Sequence, residues 1–508
     1  MSIPLIVDTP INSGLGTTLQ AAAANSLNPT IILANAINAP PPSGDTMGVI
    51  DHTNLTAYFN AVAADSTGNA RLCTLFGQYY INQKIVITMQ DSSNIEQGPM
   101  QIVGYGQTTI NVVGTNLGCI EFQTPLAANC HHISIENIGI NYQTQQTSSD
   151  TASVALGFRT IAGTDTGGTI FEIFVDRLLV IGAFRGIANT QTSGKFAIWG
   201  LAVTRCDFGN MAGAGIWMAS PTSVGQPNMK FDHVYYTSYA GGSEATCRVD
   251  GCDALKISNW EVNKLTNQNV FNITAAWFTI DRCKIETCTY SASTNNILQF
   301  ANSAGLIDGF SFENVTLTAS NLYLVDSTTS SASASISLSN IVVTVLSGTG
   351  TLTLVGGTPT IFIFNDIPYF SSLGTGPAVA RLVYSGGSAN SNYLRFNYPP
   401  GGGMSDDYAQ SSITTLAPLT TPSINVWNTP LTANVTVNLA AALGTVVADN
   451  CWDSATFTFV RTANATGSST FTISGAIPST RTLTAGQSST WSYRRSLGGF
   501  VETSFGTA

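Results

Sequence analysis

Apolar and polar residues follow a fixed octet that returns along the middle of the chain: apolar, any, apolar, polar, Asn/Arg/His, apolar or small, any, apolar. Copies begin at Ile133 (ISIENIGI), Ile173 (IFVDRLLV), Leu201 (LAVTRCDF), Met229 (MKFDHVYY), Leu255 (LKISNWEV), Phe278 (FTIDRCKI), Phe310 (FSFENVTL), Ile336 (ISLSNIVV) and Ile361 (IFIFNDIP). Successive starts lie about 28.5 residues apart on average. Each copy reads as two short alternating strands joined at a polar corner. Asn137, Asn259, Asn314, Asn340 and Asn365 hold that corner, with Arg177, Arg205, His233 and Arg282 between them. A period of this length, made of short strands with no helical spacing between them, predicts a parallel β-solenoid. Each turn then lies roughly 4.8 Å above the last. Positions 1, 3, 6 and 8 point inward as an apolar stack, and Asn suits a corner whose backbone angles most residues avoid. A propeller would need four strands in each ~40 residues, and a sandwich has no reason to repeat its corner chemistry.

Upstream, Leu55, Tyr58, Phe59, Val62 and Ala63 follow helical spacing and predict a short amphipathic helix over the open N-terminal end of the stack. Gly77 to Ile81, Ile85 to Ile87 and Ile102 to Ile110 read as the first coils. The Gly104-Tyr-Gly106 pair reads as two tight turns, because no helix pattern follows it as a phosphate loop would require. Residues 371–422 are rich in Gly, Ser and Pro, with a break at Pro399-Pro400-Gly-Gly-Gly. Residues 423–508 alternate cleanly around polar turns and predict a C-terminal antiparallel β-sandwich. The chain thus divides into a 1–43 leader, a 44–370 solenoid, a 371–422 connector and the 423–508 domain.

Composition sharpens this picture by exclusion. Only 9% of the 508 residues are charged against 44% apolar, which argues against disorder. The net charge of −10 and the lack of a basic cluster argue against a nucleic-acid partner. No stretch reads as a membrane span, and Met1-Ser-Ile-Pro-Leu lacks the pattern of a secretory signal. Nine cysteines at irregular spacing are expected to be free buried thiols of a protein made in a reducing cytoplasm.

The helix after Gly44-Asp45, the Gly77-Gln-Tyr79-Tyr-Ile81 segment and the Ile102-x-Gly104-x-Gly106-x-x-Thr109-Ile110 segment together resemble the opening of pectate-lyase-like right-handed β-helices. Phage tailspikes and capsule depolymerases are prominent among these, and the resemblance covers roughly residues 44–370. The sequence departs from the usual opening: no Asp-Asp-Thr follows the Gly-Asp and no Pro precedes Gly77. The tail, with Phe457-Thr-Phe-Val-Arg461 and Leu483-Thr-Ala-Gly-Gln487, is similar to C-terminal β domains of phage tail proteins. The resemblance implies a right-handed coil, a homotrimer, a bacterial surface polysaccharide as ligand, and attachment to tail or baseplate proteins through the N-terminus. It further implies a place in the virion tail, with assembly in the host cytoplasm and release by lysis. A non-catalytic host-binding fibre of the same shape stays open beside a depolymerase. A free pectin-cleaving enzyme is disfavoured, because the Asn-Thr-Asp and Gly-His-Gly of those members are absent.

Candidate chemistry follows from stacking. Outward position 7 of consecutive coils carries Asp207, Tyr235, Glu261 and Lys284; position 9 carries Gly209, Thr237, Asn263 and Glu286. Asp207 to Glu261 spans two coils, roughly 9–10 Å at the strand spacing, and Glu261 to Glu286 is a diagonal of roughly 8 Å. Both approach the ~6.5–9.5 Å separation of an inverting glycosidase. Glu261 and Glu286 are therefore the expected acid and base, with Asp207 as substitute and Tyr235, Asn263 and Lys284 as substrate contacts. Ordinary cross-strand charge pairs would give the same pattern, so that reading stays open. Corner acids Glu136, Asp176, Asp232, Asp281 and Glu313 are expected to form turns with the corner arginines. His52, His131, His132 and His233 show no metal-ligand spacing, Asp250-Gly-Cys-Asp253 reads as a turn, and no metal or other cofactor is implied. Tyr393 to Tyr398 and Trp427, Trp452 and Trp491 default to core packing.

Overall fold

In the computed structural model of the protein, all but a few short stretches between residues 37 and 371 are described, and beyond 371 separated segments; residues 1–36 lie outside the described residues. The octets stack as a parallel β-solenoid of about eight turns. The strands Met100–Val112, Asn129–Tyr142, Thr169–Ile181, Ala197–Met211, Met229–Ser238, Cys247–Asn263, Phe271–Glu286, Gly305–Leu317 and Ser335–Ser347 pair in that order, each parallel to the next. A second ladder includes Ile120–Thr124, Val154–Thr160, Arg185–Asn189 and Ile216–Met218, and continues through Cys247–Asn263 and Phe271–Glu286.

The inward columns form the core. Position 3 stacks Ile102, Ile135, Val175, Val203, Phe231, Ile257, Ile280, Ile307 and Leu338; position 6 stacks Ile138, Leu178, Cys206, Val234, Trp260, Cys283, Phe310 and Ile341. None of these is more than 3% exposed. Each buried aliphatic side chain contributes about 1.5–3 kcal/mol relative to exposure, repeated coil after coil. The cysteines are part of this stack: the eight described ones are all buried and none is in a disulfide.

The corner residues bear out the backbone argument. Asn137, Arg177, Arg205, His233, Asn259, Arg282 and Asn340 all have φ between 51° and 57°, the left-handed region. A left-handed residue with a Cβ costs about 1–2 kcal/mol, and here the corner acids compensate by hydrogen bonding. Arg205 Nε donates to Asp176 (2.8 Å), Asn259 Nδ2 to Asp232 (2.8 Å) and Asn340 Nδ2 to Asp308 (2.7 Å).

Two copies of the octet sit in a different register from the one expected. Phe278 pairs with Gly305 and Cys283 with Phe310, so that coil begins at Gly305 and turns at Gly309, not at Phe310 and Asn314. Gly309 has φ 70° and takes the corner conformation without a side chain. The slip of five residues has a physical origin, because left-handed turns recur five residues apart within a coil, as at Gly200, Arg205 and Asn210, or at Gly309 and Asn314. FSFENVTL therefore spans the second turn of its coil and imitates the first. The last copy is offset by one: Ile336 pairs with Phe362, which puts Asn365 beside Ser339 instead of at the corner.

Helix α1 (Val49–Ala63) buries the expected Leu55, Tyr58, Phe59, Val62 and Ala63, and packs against the first coil at Arg71–Ile81 and Ile85–Thr88. Asp45 accepts from the amides of Val49 (2.9 Å) and Ile50 (3.0 Å) and closes the helix start. Gly104 and Gly106, expected as two tight turns, lie instead within the strand Met100–Val112 where its register shifts between Val103 and Thr109; Gly106 has φ 61°, and a Cβ at Gly104 would lie 2.3 Å from the carbonyl oxygen of Asn137. Beyond the solenoid lie a five-stranded and a four-stranded sheet. They are mixed where wholly antiparallel strands were expected. Met404–Tyr408, Ser423–Trp427 and Thr456–Arg461 run parallel, and in the five-stranded sheet Gln487–Arg494 alone runs the other way, antiparallel to Thr456–Arg461 and to Gly499–Thr507. Alternation specifies strands and faces but is blind to direction. Trp491 is buried there, whereas Trp452, Tyr393, Pro399 and Pro400 lie outside the described residues.

Candidate functional site

Every residue of the expected ledge lies on a strand, and the strands are in the register that joins them. Asp207 pairs with Tyr235, Tyr235 with Glu261, and Glu261 with Lys284; one row further along, Thr237 pairs with Asn263 and Asn263 with Glu286. Gly209 departs from its row: the register shifts between Phe208 and Met211, and the Asn210 amide donates to Thr237 Oγ1 at 2.9 Å. This bulge adds one residue at the edge of the ledge.

Glu313 joins the ledge as well. Expected at a corner, it pairs in register with Glu286, a direct consequence of the five-residue slip. The signal that could have found it was the segment Gly305-Leu-Ile-Asp308-Gly309, which keeps the octet's spacing with glycine in place of the corner residue. Glu286, Glu313 and Lys284 form one cluster, with Lys284 Nζ 2.9 Å from Glu286 and 3.7 Å from Glu313. The cation therefore serves Glu286, two residues along its own strand, and not its cross-strand neighbour Glu261 as a simple pairing rule would have it.

These surroundings separate the carboxylates. The hydrogen bond from Lys284, with its charge, holds the Glu286 carboxyl below the ordinary range and favours the ionised form. Asp207 is shifted the other way, because burial disfavours its charge. Burial, followed by the fields of Glu261, Asp207 and Glu286, raises the Tyr235 hydroxyl and keeps it a proton donor. Asn263 Oδ1 is buried with no hydrogen-bond partner among the described residues. The ledge thus offers a protonatable acid, a carboxylate held ionised, a phenol, an ammonium and an unpaired amide oxygen along four coils.

The remaining candidates are occupied elsewhere. Asp176 is held by Arg205 and Thr204, Asp281 by Arg282, and Glu136 by Gln101 and Ser134. Asp250 binds Arg248 at 2.9 Å. His132 lies 2.5 Å from Glu172, and His131 stacks on Phe171 with ring centres 4.6 Å apart. Among the described residues no group of three or more His, Cys, Asp or Glu is placed to hold a metal ion, and no helix is long and apolar enough to cross a membrane.

No known family profile matches the chain, and no curated protein matches it. Among solved structures it is similar to the Acinetobacter phage vb_AbaP_AS12 gp42 tailspike, at 11% identity over 93% of this chain and 81% of that one, with a TM-score of 0.44. It is also similar to the Azotobacter vinelandii mannuronan C-5 epimerase AlgE4 A-module, at 9% identity over 65% and 95% of the two chains, TM-score 0.35. A third is endo-xylogalacturonan hydrolase from Aspergillus tubingensis, at 11% identity over 73% and 98%, TM-score 0.19.

Proposed function

We propose that the protein binds a bacterial surface polysaccharide along this ledge and cuts it by hydrolysis. The observation that carries the reading is the in-register row Asp207, Tyr235, Glu261, Lys284, with Asn263 and Glu286 beside it. Asp207, whose charge burial disfavours, is the general acid: it gives its proton to the glycosidic oxygen as the bond to the anomeric carbon breaks. Glu261, two coils away, is the general base: it takes a proton from the water whose oxygen bonds to that carbon. This exchanges the roles first expected, in which Asp207 was the substitute. Glu286 is kept ionised by Lys284 and, at a diagonal from Glu261, hydrogen-bonds sugar hydroxyls with Asn263. Tyr235 supplies a ring face and a hydroxyl between the acid and the base.

In this reading the protein is a homotrimeric spike of a phage tail. Residues 1–43 attach it to tail or baseplate proteins, 371–422 link the solenoid to 423–508, and that last region trimerises the chain or binds sugar. Resemblance to tailspikes in the solenoid and tail motifs supports it. The alternative is a binding-only fibre, favoured by the engagement of Glu286 and Glu313 with one lysine. The test is to incubate purified protein with host envelope polysaccharide and follow chain length by size exclusion. Shortened chains with wild type, and intact chains with Asp207→Asn and Glu261→Gln at unchanged binding, are expected. Tight binding with no shortening by wild type leaves the fibre, and a monomer by mass measurement removes the spike.

A further inference from the structure

On another flank, at the other end of the strand Cys247–Asn263, the coils form a half-open polar cavity of about 250 Å³. Trp217, Arg248 and Asn272 reach it from three consecutive strands, in register. Glu244, Gln268 and Asn269 are also part of its wall. At ~30 Å³ per water the space equals about eight waters, and it is smaller than the ~300–1,000 Å³ of pockets for drug-sized ligands.

Its charges cancel within the wall. Arg185 binds Glu244 through Nε (2.9 Å) and a second, Nη2 contact, and Arg248 binds Asp250 through Nε and Nη2. Both guanidinium groups lie over the Trp217 ring, their central carbons 4.2 and 4.7 Å from its centre. Two cations and two anions leave no excess charge to attract an ionic ligand, and the cation–π contacts fix the wall.

Gln268 supplies the second observation. Only 1% exposed, it donates from Nε2 to the carbonyl oxygens of Gly213 (3.1 Å) and Glu244 (2.6 Å) and lies 3.0 Å from the Tyr236 hydroxyl, whose own proton goes to Gly213. The two carbonyls are acceptors only and the Tyr236 proton is already given to Gly213, so the amide nitrogen must face them and Oε1 must face away. That oxygen is buried with no hydrogen-bond partner among the described residues. A buried acceptor is normally paired, and beside a wall with no excess charge a neutral donor group such as a hydroxyl would pair it.

We infer that this cavity is a binding pocket for a single neutral, hydroxyl-rich sugar ring, one unit of the polysaccharide, whose hydroxyl donates to Gln268 Oε1 while amides and Arg248 bind the others. The pocket rests on the polysaccharide reading for its biological ligand but not on cleavage at the ledge. Saturation-transfer NMR on the full chain tests it with glucose, galactose, mannose and N-acetylglucosamine, and with glucuronate as the charged probe. At least one neutral sugar should give a signal at millimolar concentration. Asn272→Leu and Asn269→Leu, both at partly exposed positions, should lower it at least tenfold without moving the melting temperature, while Glu261→Gln retains it. No neutral sugar signal, a signal surviving both leucine variants, loss with Glu261→Gln, or strongest binding by glucuronate would each overturn the assignment.

Discussion

Asn259 is the corner two residues before Glu261, and replacing it measures what holds the ledge in place. With φ 51° it occupies the left-handed region, and its Nδ2 donates to Asp232 at 2.8 Å. Asn259→Ala keeps a Cβ in that region, a cost of about 1–2 kcal/mol that the native Asn already bears, and removes a hydrogen bond to a charged acceptor, about 1.5–3 kcal/mol for such bonds. Asp232 keeps the Ser258 hydroxyl (2.9 Å) and the His233 ring (3.0 Å), so the second contribution falls at the low end. A loss of about 1.5–2 kcal/mol follows. Asn259→Gly loses the same hydrogen bond without the backbone cost. It adds about 0.4–1 kcal/mol of unfolded-chain entropy and comes out about 1 kcal/mol milder than Ala. Burial alone would raise the Asp232 carboxyl, but hydrogen bonds from Asn259, Ser258 and His233 hold it below the ordinary value. A carboxyl depressed in the folded state contributes stability above its unfolded pKa, near 3.9, and loses it as pH falls through the folded one. The Asn259→Ala loss should therefore shrink below about pH 4. Coils of a solenoid open locally, so hydrogen exchange of peptides over residues 255–263 is the assay. Equal protection in the Ala and Gly variants, or a loss below about 0.5 kcal/mol in Ala, refutes the reasoning.

Three further outcomes are expected. Leu179 lies in register beside Asp207, so Leu179→Ser should admit water and lower the raised Asp207 carboxyl. The acid must be protonated, and the alkaline limb of the pH–cleavage profile should move to lower pH; an unmoved limb contradicts the assignment. Asp51 is buried and accepts from the amides of Ser43 (2.8 Å) and Tyr80 (2.9 Å). Asp51→Ala leaves two donors unpaired at about 1–3 kcal/mol each, and thermal unfolding should begin earlier, with proteolysis starting in helix α1. Burial pushes the thiols of Cys206 and Cys283 up to about 12. Iodoacetamide at pH 8 should leave both unlabelled in peptide mass spectra until denaturant is added, and rapid native labelling would contradict the stacked core.

The repeat was legible in the chain because the solenoid is nearly one-dimensional. Each coil obeys the same inward–outward alternation, so period, core columns, corner chemistry and the ledge from Asp207 to Glu286 can be read from spacing alone. Helix α1 was legible for the same local reason. What spacing could not decide was anything set by contacts between coils. A glycine at Gly309 carries no side-chain signature, so the coil there was misread by five residues and Glu313 was assigned to a corner. Lys284 chose Glu286 and Glu313 because its flexible side chain reaches along and across strands, a choice made in three dimensions. The opposite shifts of Asp207 and Glu286 arise from burial and a neighbouring charge, neither of which is a property of one residue. The direction of the C-terminal strands, and the cavity that gathers Trp217, Glu244 and Gln268, come from tertiary packing alone. Residues from different turns meet there only after the chain has coiled.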